Sequence, residues 1–340
     1  MTRLTAMGAL VGAILVAGCG FLPRGVIPSP TATPPPRPEP VVSPAATATP
    51  SSVPFTIVAF PDPTSDPLDA AVADRLRQAL EDAVATRGGN AITAVVLIGD
   101  RGMWTGTAVR PGATAPAPDE PWTTGSIGKT ITAAEVMRLA ERGRVDLDAP
   151  AASLFQPGVD LDTNGATVRD LLQMRSGLTH HDPHSTVWEY TNRDYELLGR
   201  VIEGVEGKPF ADVLVGDVLA IPDVTDIRVP EDGTVANAAG PLDADPISLA
   251  RWGYALFGGD VVAEDRLRQM VTFDENTYGM GVFDFSTDFG VAAAGHLGID
   301  EPDSAAMVAF PNDAMVIVTM GKGATWEQTY GALQDLRAAL

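Results

Sequence analysis

Gly125-Ser126-Ile127-Gly128-Lys129-Thr130-Ile131-Thr132-Ala133-Ala134 is the segment on which the reading of this chain turns. Ser126 and Lys129 stand three residues apart at the start of a helical run. At a helix N-terminus that spacing puts both side chains on one face, about 5 to 6 Å apart at Cβ, so an unprotonated lysine can take the serine proton. The open backbone amides and the dipole at this end also stabilise negative charge. Lysine is scarce here: of 23 basic residues only Lys129, Lys208 and Lys322 are lysines, which makes a chemically meaningful spacing less accidental. A plainer reading also fits, with Ser126 as a helix cap and Lys129 as a solvated side chain, and the segment alone does not separate the two.

Outward from this point the chain alternates in character. Upstream, Leu68, Val72, Leu76, Leu80 and Val84 recur at helical spacing across residues 69–86. The β-rich run 91–99, the turn Asp100-Arg101-Gly102 and the return run 103–108 then predict a hairpin. Downstream, residues 130–142, 167–174, 194–205 and 246–257 show helical apolar periodicity and predict a helical lobe. Strands are expected again at 291–298, 305–310 and 314–320, the last two joined by Pro311-Asn312-Asp313, before a helix from about Thr325 to Leu340. There is no internal repeat. Strands at both ends with helices between them predict an α+β fold: an antiparallel β-sheet flanked by N- and C-terminal helices, with an inserted helical lobe.

Two further motifs bear on chemistry. Tyr190-Thr191-Asn192 precedes the helix expected near Asp194; a tyrosine held near Lys129 could shuttle protons while Asn192 orients substrate through its amide. His296-Leu297-Gly298 falls on an expected strand, where a glycine allows close backbone approach of substrate to the sheet edge. The order and spacing of the three motifs resemble the serine penicillin-recognising hydrolases, the family of class C β-lactamases, D-alanyl-D-alanine carboxypeptidases and related esterases. The connecting text agrees: Arg142-Gly143-Arg144-Val145-Asp146-Leu147-Asp148, the run Thr167-Val168-Arg169-Asp170-Leu171-Leu172 leading into Arg175-Ser176-Gly177-Leu178, and Leu197-Leu198-Gly199 leading to Glu203 and Gly207. The resemblance covers residues 55–340 and implies a β-lactamase/transpeptidase-like fold. It further implies that Ser126 attacks a carbonyl, that Lys129 and Tyr190 manage its proton, and that the amides of Ser126 and Ile299 form an oxyanion hole. Asn192 would contact the acyl side and His296 would help set the electrostatics beside Lys129. No metal or other cofactor is implied.

Departures from the family pattern narrow the substrate. Relatives that bind a substrate carboxylate carry a hydroxyl residue in the middle of the third motif, where this chain has Leu297. Asp300 and Glu301 follow at once, and their charge would repel an anionic group, so penicillins and acyl-D-alanyl-D-alanine ends become poorer candidates. The third motif opens with His296 where typical β-lactamases have lysine, a change that resembles peptidase and esterase relatives. Only eleven residues separate Leu178 from Tyr190, which predicts an open cleft. That stretch holds His180, His181 and His184, but side chains in one tight loop rarely converge tetrahedrally, so a polar rim is expected rather than a zinc site. Trp122, Trp188 and Trp252 read as core or rim residues.

The N-terminus reads as an export signal. Arg3 is followed by an apolar run from about Met7 to Ala17, shorter than the roughly 20 residues that a spanning helix needs. Val16-Ala17-Gly18-Cys19 resembles a lipoprotein signal, which implies a signal peptide over 1–18 and a lipid on Cys19. Cys19 is the only cysteine, so the chain can form no internal disulfide. Residues 19–54, rich in Pro, Ala and Thr, cannot bury a core and read as a tether that could reach roughly 100 Å. The expected domains are therefore signal 1–18, tether 19–54 and hydrolase domain 55–340, held outside the cytoplasm on the cell membrane. The net charge of −21 argues against nucleic acid as a partner, since that requires a basic face. The partners expected are a small-molecule or peptide substrate and, through the lipid, the membrane; no protein partner is named by the sequence. The alternative function is a non-catalytic wall-binding lipoprotein that retains the fold.

Overall fold

A computed structural model describes residues 53–340 apart from 118–119, 180–186, 219 and 232. The described residues all belong to one unit, Glu39–Leu340. The expected signal, Cys19, nearly all of the tether and the three clustered histidines lie outside the described residues.

In chain order the elements are α1 (Ala70–Arg87), β1 (Ala91–Ile98), β2 (Gly102–Val109), β3 (Trp122–Thr123), α2 (Gly128–Glu141), α3 (Val168–Leu172), α4 (Asn192–Glu206) and α5 (Phe210–Val218). There follow β4 (Ile227–Arg228), β5 (Asp243–Ala244), α6 (Pro246–Gly258), α7 (Glu264–Met270), β6 (Phe283–Asp284) and α8 (Ser286–Phe289). The chain closes with β7 (Ala294–Asp300), β8 (Asp303–Phe310), β9 (Met315–Lys322) and α9 (Trp326–Ala338). The main sheet has the order β2-β1-β9-β8-β7-β6 and is antiparallel throughout. The first and last strands of the described chain are thus neighbours, β1 pairing with β9.

Alternation along the strands sorts the helices onto the two faces. Gly253 of α6 sits against the side chains of Met307 and Val316, which belong to one face of β8 and β9. Ser304 and Thr319 belong to the other, where both bond Thr329 of α9. α1 lies beside α9, joined to it by an Arg87–Asp335 ion pair of 2.8 Å. Both faces of the sheet are covered, so β1 is buried at every position and reads as an apolar run interrupted only by Thr93. Helices α2 to α5 form the inserted lobe between the two groups of strands; α5 is an addition that the sequence did not predict. α6, which the sequence assigns to that lobe, packs instead on the sheet through Gly253 against Met307 and Val316, because its apolar residues meet β8 and β9.

Differences from the expected boundaries have local causes. The second-motif helix begins at Asn192 rather than near Asp194, because Thr191 is its cap and accepts from the Arg193 amide at 3.1 Å. β7 starts at Ala294, three residues later than expected, because Ala293 is tied into the preceding turn by bonds to Phe285 and Ser286. The small sheet β3-β5-β4 was not anticipated; its strands are two residues long, too short to show a period.

Candidate active site

Residues 125–127 make a single tight turn that runs directly into α2. Gly125 holds φ at 49°, and a Cβ there would lie 2.8 Å from the Gly298 carbonyl carbon and overlap the Ile299 amide nitrogen. Gly298 is the counterpart: a Cβ on it would overlap the Thr124 carbonyl oxygen. β7 therefore meets the Ser126 turn backbone to backbone, and no side chain fits between. This places the Ile299 amide beside the residue that precedes Ser126. The sequence reading gave the space at Gly298 to substrate; the structure gives it to the Thr124–Gly125 backbone.

Lys129 emerges one turn further along α2 and is 0% exposed. Its Nζ lies 2.9 Å from Ser126 Oγ and 2.6 Å from Asn192 Oδ1, and it also donates to the Ala239 carbonyl. A buried ammonium is tolerated only where such acceptors replace water. The same arrangement suits the neutral amine: two N–H groups serve Asn192 and Ala239 while the lone pair faces the serine hydroxyl. Ala239 was missed by sequence reasoning. It ends a capped turn, Val235–Ala239, which Thr132 of α2 seats by donating to Ala238 O at 2.7 Å. A backbone acceptor has no residue signature, and the run of small residues at 236–240 is the only trace of it.

The Tyr190 ring centroid is 5.0 Å from Lys129 Nζ, and that of Tyr195 5.7 Å. Tyr190 belongs to an aromatic wall with Trp188, Tyr278, Phe283 and the His296 ring, with centroid separations between 4.7 and 6.5 Å. Tyr278 and Phe283 were not foreseen, since they lie some ninety residues downstream of the second motif with no local pattern. His296 is 1% exposed, with Nδ1 2.6 Å from Leu297 O. That contact requires the proton on Nδ1 and leaves Nε2 as an acceptor, which is buried without a hydrogen-bond partner among the described residues. Burial, reinforced by the Lys129 charge and opposed by the Leu297 contact, pushes the His296 pKa down to about 3. Any electrostatic influence of His296 on Lys129 at neutral pH is therefore dipolar rather than ionic.

Beneath the second motif, Asp194 is fully buried on α4 and accepts from Ser176 Oγ at 2.6 Å. Burial raises its pKa to about 7 against the opposing effect of the Ser176 hydrogen bond. This bond ties the Arg175-Ser176-Gly177 segment to the start of the helix that carries Asn192.

The structure brings Ser126, Lys129, Tyr190, Asn192, His296, Gly298 and Ile299 together at one junction of sheet and lobe. Leu297 is buried and packed into the core, while Asp300 and Glu301 are exposed at the tip of the β7–β8 hairpin. Trp252 is a core residue that donates to Thr130 Oγ1 at 2.9 Å; Trp188 lines the aromatic wall. Among the described residues no group of three His, Cys, Asp or Glu could hold a metal, and no helix is long and apolar enough to cross a membrane.

The fold and the site together define a β-lactamase/transpeptidase-like protein with a serine and a lysine at the head of its first lobe helix. The family model described as Beta-lactamase matches residues 73–340, and the chain belongs to that family of serine hydrolases. Among solved structures, it is similar to the D-amino acid amidase from Ochrobactrum anthropi SV3 complexed with L-phenylalanine amide (TM-score 0.66, 20% identity, 79% of this chain and 98% of that one). It is also similar to a D-stereospecific amidohydrolase from Streptomyces sp. (TM-score 0.59, 23% identity, 76% and 98%). A third is the octameric penicillin-binding protein homologue from Pyrococcus abyssi (TM-score 0.62, 18% identity, 78% and 77%). At these identities the likeness carries the fold. No curated protein matches the sequence.

Proposed function

We propose that this protein is a lipid-anchored, extracytoplasmic hydrolase that forms an acyl-enzyme on Ser126 and cleaves a small ester or amide. The observation that carries the reading is the buried Lys129 Nζ, 2.9 Å from Ser126 Oγ and braced by Asn192 and Ala239. In its neutral form Lys129 takes the hydroxyl proton as Oγ bonds to the substrate carbonyl carbon, whose π electrons move onto oxygen. The amides of Ser126 and Ile299 receive that oxyanion; one such donor is worth roughly 3 to 4 kcal/mol of barrier. Collapse expels the alcohol or amine, protonated through Lys129 and Tyr190, and water then cleaves the acyl-enzyme. With its Oδ1 held by Lys129, Asn192 offers its amide NH₂ to the acyl group.

Substrate class is read from the third motif and the tip of the β7–β8 hairpin. Leu297 supplies no hydroxyl for a carboxylate, and Asp300 and Glu301 disfavour anions, so neutral or amine-bearing substrates such as D-amino-acid amides and short-chain esters fit better than penicillins. The similarity to D-amino acid amidases supports the same direction. Cys19 at the end of the signal-like segment supports the lipid anchor.

Labelling with a fluorophosphonate probe tests the chemistry. The wild-type chain should carry one adduct on Ser126 and Ser126→Ala none; a folded wild type that stays unlabelled and turns over neither esters nor D-amino-acid amides would leave an inert wall-binding lipoprotein as the better description.

A further inference from the structure

At the far end of α2, away from Ser126, lies a cavity of about 560 Å³ enclosed by α2, the C-terminal end of α5, α6 and the strap around Asp62 that leads into α1. Its lining includes Arg138 and Arg251 together with Asp62, Asp217, Asp223 and Asp260. None of the candidate catalytic residues borders it, and Arg138 is nine residues beyond Lys129, about 14 Å along the helix at 1.5 Å per residue.

The two arginines differ. Arg138 is neutralised: it lies 3.7 Å from both Glu135 and Asp217 carboxylates and donates to the Asp217 carbonyl at 3.3 Å. Arg251 is only 3% exposed, and its one hydrogen bond goes from Nη2 to Ser65 Oγ at 2.5 Å. Its Nε and Nη1 are buried with no partner, and no carboxylate among the described residues lies within ion-pair distance of it. A guanidinium withdrawn from water without a counter-ion is strongly disfavoured, by several kcal/mol per charge. Removing it from water makes sense where an anion completes the pair. The remaining carboxylates are arranged the opposite way: Asp62, Asp223 and Asp260 line the cavity from exposed positions, whereas Arg251 lines it from a buried one. A simple anion would meet those negative charges as well. A molecule with a carboxylate at one end and an ammonium at the other would satisfy both.

We propose that this cavity binds a small zwitterion, an α-amino acid or a short peptide, with its carboxylate toward Arg251 and its ammonium among Asp62, Asp223 and Asp260. The inference does not depend on Ser126 chemistry, because it rests on a separate set of side chains.

Calorimetric titration of the Ser126→Ala full-length chain with glycine, D-alanine and alanyl-alanine tests it, with acetate and ethylamine as half-ligands. At least one zwitterion should bind at least tenfold more tightly than either half-ligand. Arg251→Gln should weaken that binding at least tenfold while Arg251→Lys retains part of it. Because Arg251 is buried, Asp260→Asn provides a surface variant: it should weaken the zwitterion several-fold and leave acetate unchanged. Circular dichroism confirms that each variant is folded. Zwitterion affinity unchanged in folded Arg251→Gln would place the ligand elsewhere, the catalytic cleft included, and overturn the proposal. Acetate binding as tightly as glycine, or no heat with any probe, would overturn it equally.

Discussion

Two buried cations, Lys129 at the head of α2 and Arg251 on α6 by the cavity at the far end of α2, are solvated by protein very differently. Lys129 is surrounded by oxygens from three separate elements, and every one of them has a reason to be there. Arg251 is met by one serine hydroxyl. The contrast separates a charge that the fold has accommodated from one that it has left to be answered from outside. It also implies that deleting the two side chains should have opposite consequences.

The largest effect is expected at the accommodated cation. Lys129→Met should lower ester or amide turnover by at least about 10³-fold, since proton transfer and nucleophile activation are lost together. It should also destabilise the fold by roughly 1 to 3 kcal/mol, because Asn192 Oδ1 and the Ala239 carbonyl lose their donor; rates and thermal melts of the same preparation measure both. Gly298→Ala comes next. The added methyl must displace the Thr124 backbone or β7, so turnover should fall about 10²-fold with a stability loss of roughly 1 to 3 kcal/mol. Turnover near wild type in that variant would mean the junction is looser than it looks.

At the unanswered cation the sign reverses. Arg251→Met should raise the melting temperature, by an amount equivalent to roughly 1 to 2 kcal/mol, and leave turnover unchanged, because a buried unpaired charge is replaced by an apolar group of similar length. A lower melting temperature would show that the arginine is compensated after all. The smallest effect concerns Asp194. Its pKa in the folded state, about 7, exceeds that of an exposed aspartate, so its contribution to stability is complete at acid pH and is lost as pH rises toward and through 7. Asp194→Asn should therefore flatten the fall in melting temperature between pH 5.5 and pH 8 by a few degrees; parallel curves for variant and wild type would remove the carboxyl from the account. His296 works in the opposite direction, its stabilisation fading as pH drops below its unfolded value, but it is common to both proteins and cancels in the comparison.

How much of this was legible beforehand follows from the range of the signals. Periodicity announced α1, the β1–β2 hairpin, α2, α4, α6 and the final strands, because each is long enough to repeat. Ser126 with Lys129, and Tyr190 with Asn192, were legible because each pair is local and defined by side chains. The Ala239 carbonyl was not, because any residue supplies a carbonyl and only the fold decides which one arrives. Tyr278 and Phe283 were hidden for a related reason: an aromatic residue reads as core wherever it stands, and only tertiary packing sets these two around His296. Arg251 carries no signal in the sequence, since burial without a counter-ion is a property of three-dimensional neighbours.

The glycine contact between β7 and the Ser126 turn has a consequence for how such a domain can change. On the proposed chemistry, side chains of the surrounding wall and rim would recognise the substrate, whereas the juxtaposition of the Ser126 turn and the Ile299 amide is fixed by main chain. Selection is thus free to redraw the specificity of the pocket residue by residue, like changing the jaws of a vice whose screw stays where it was cut.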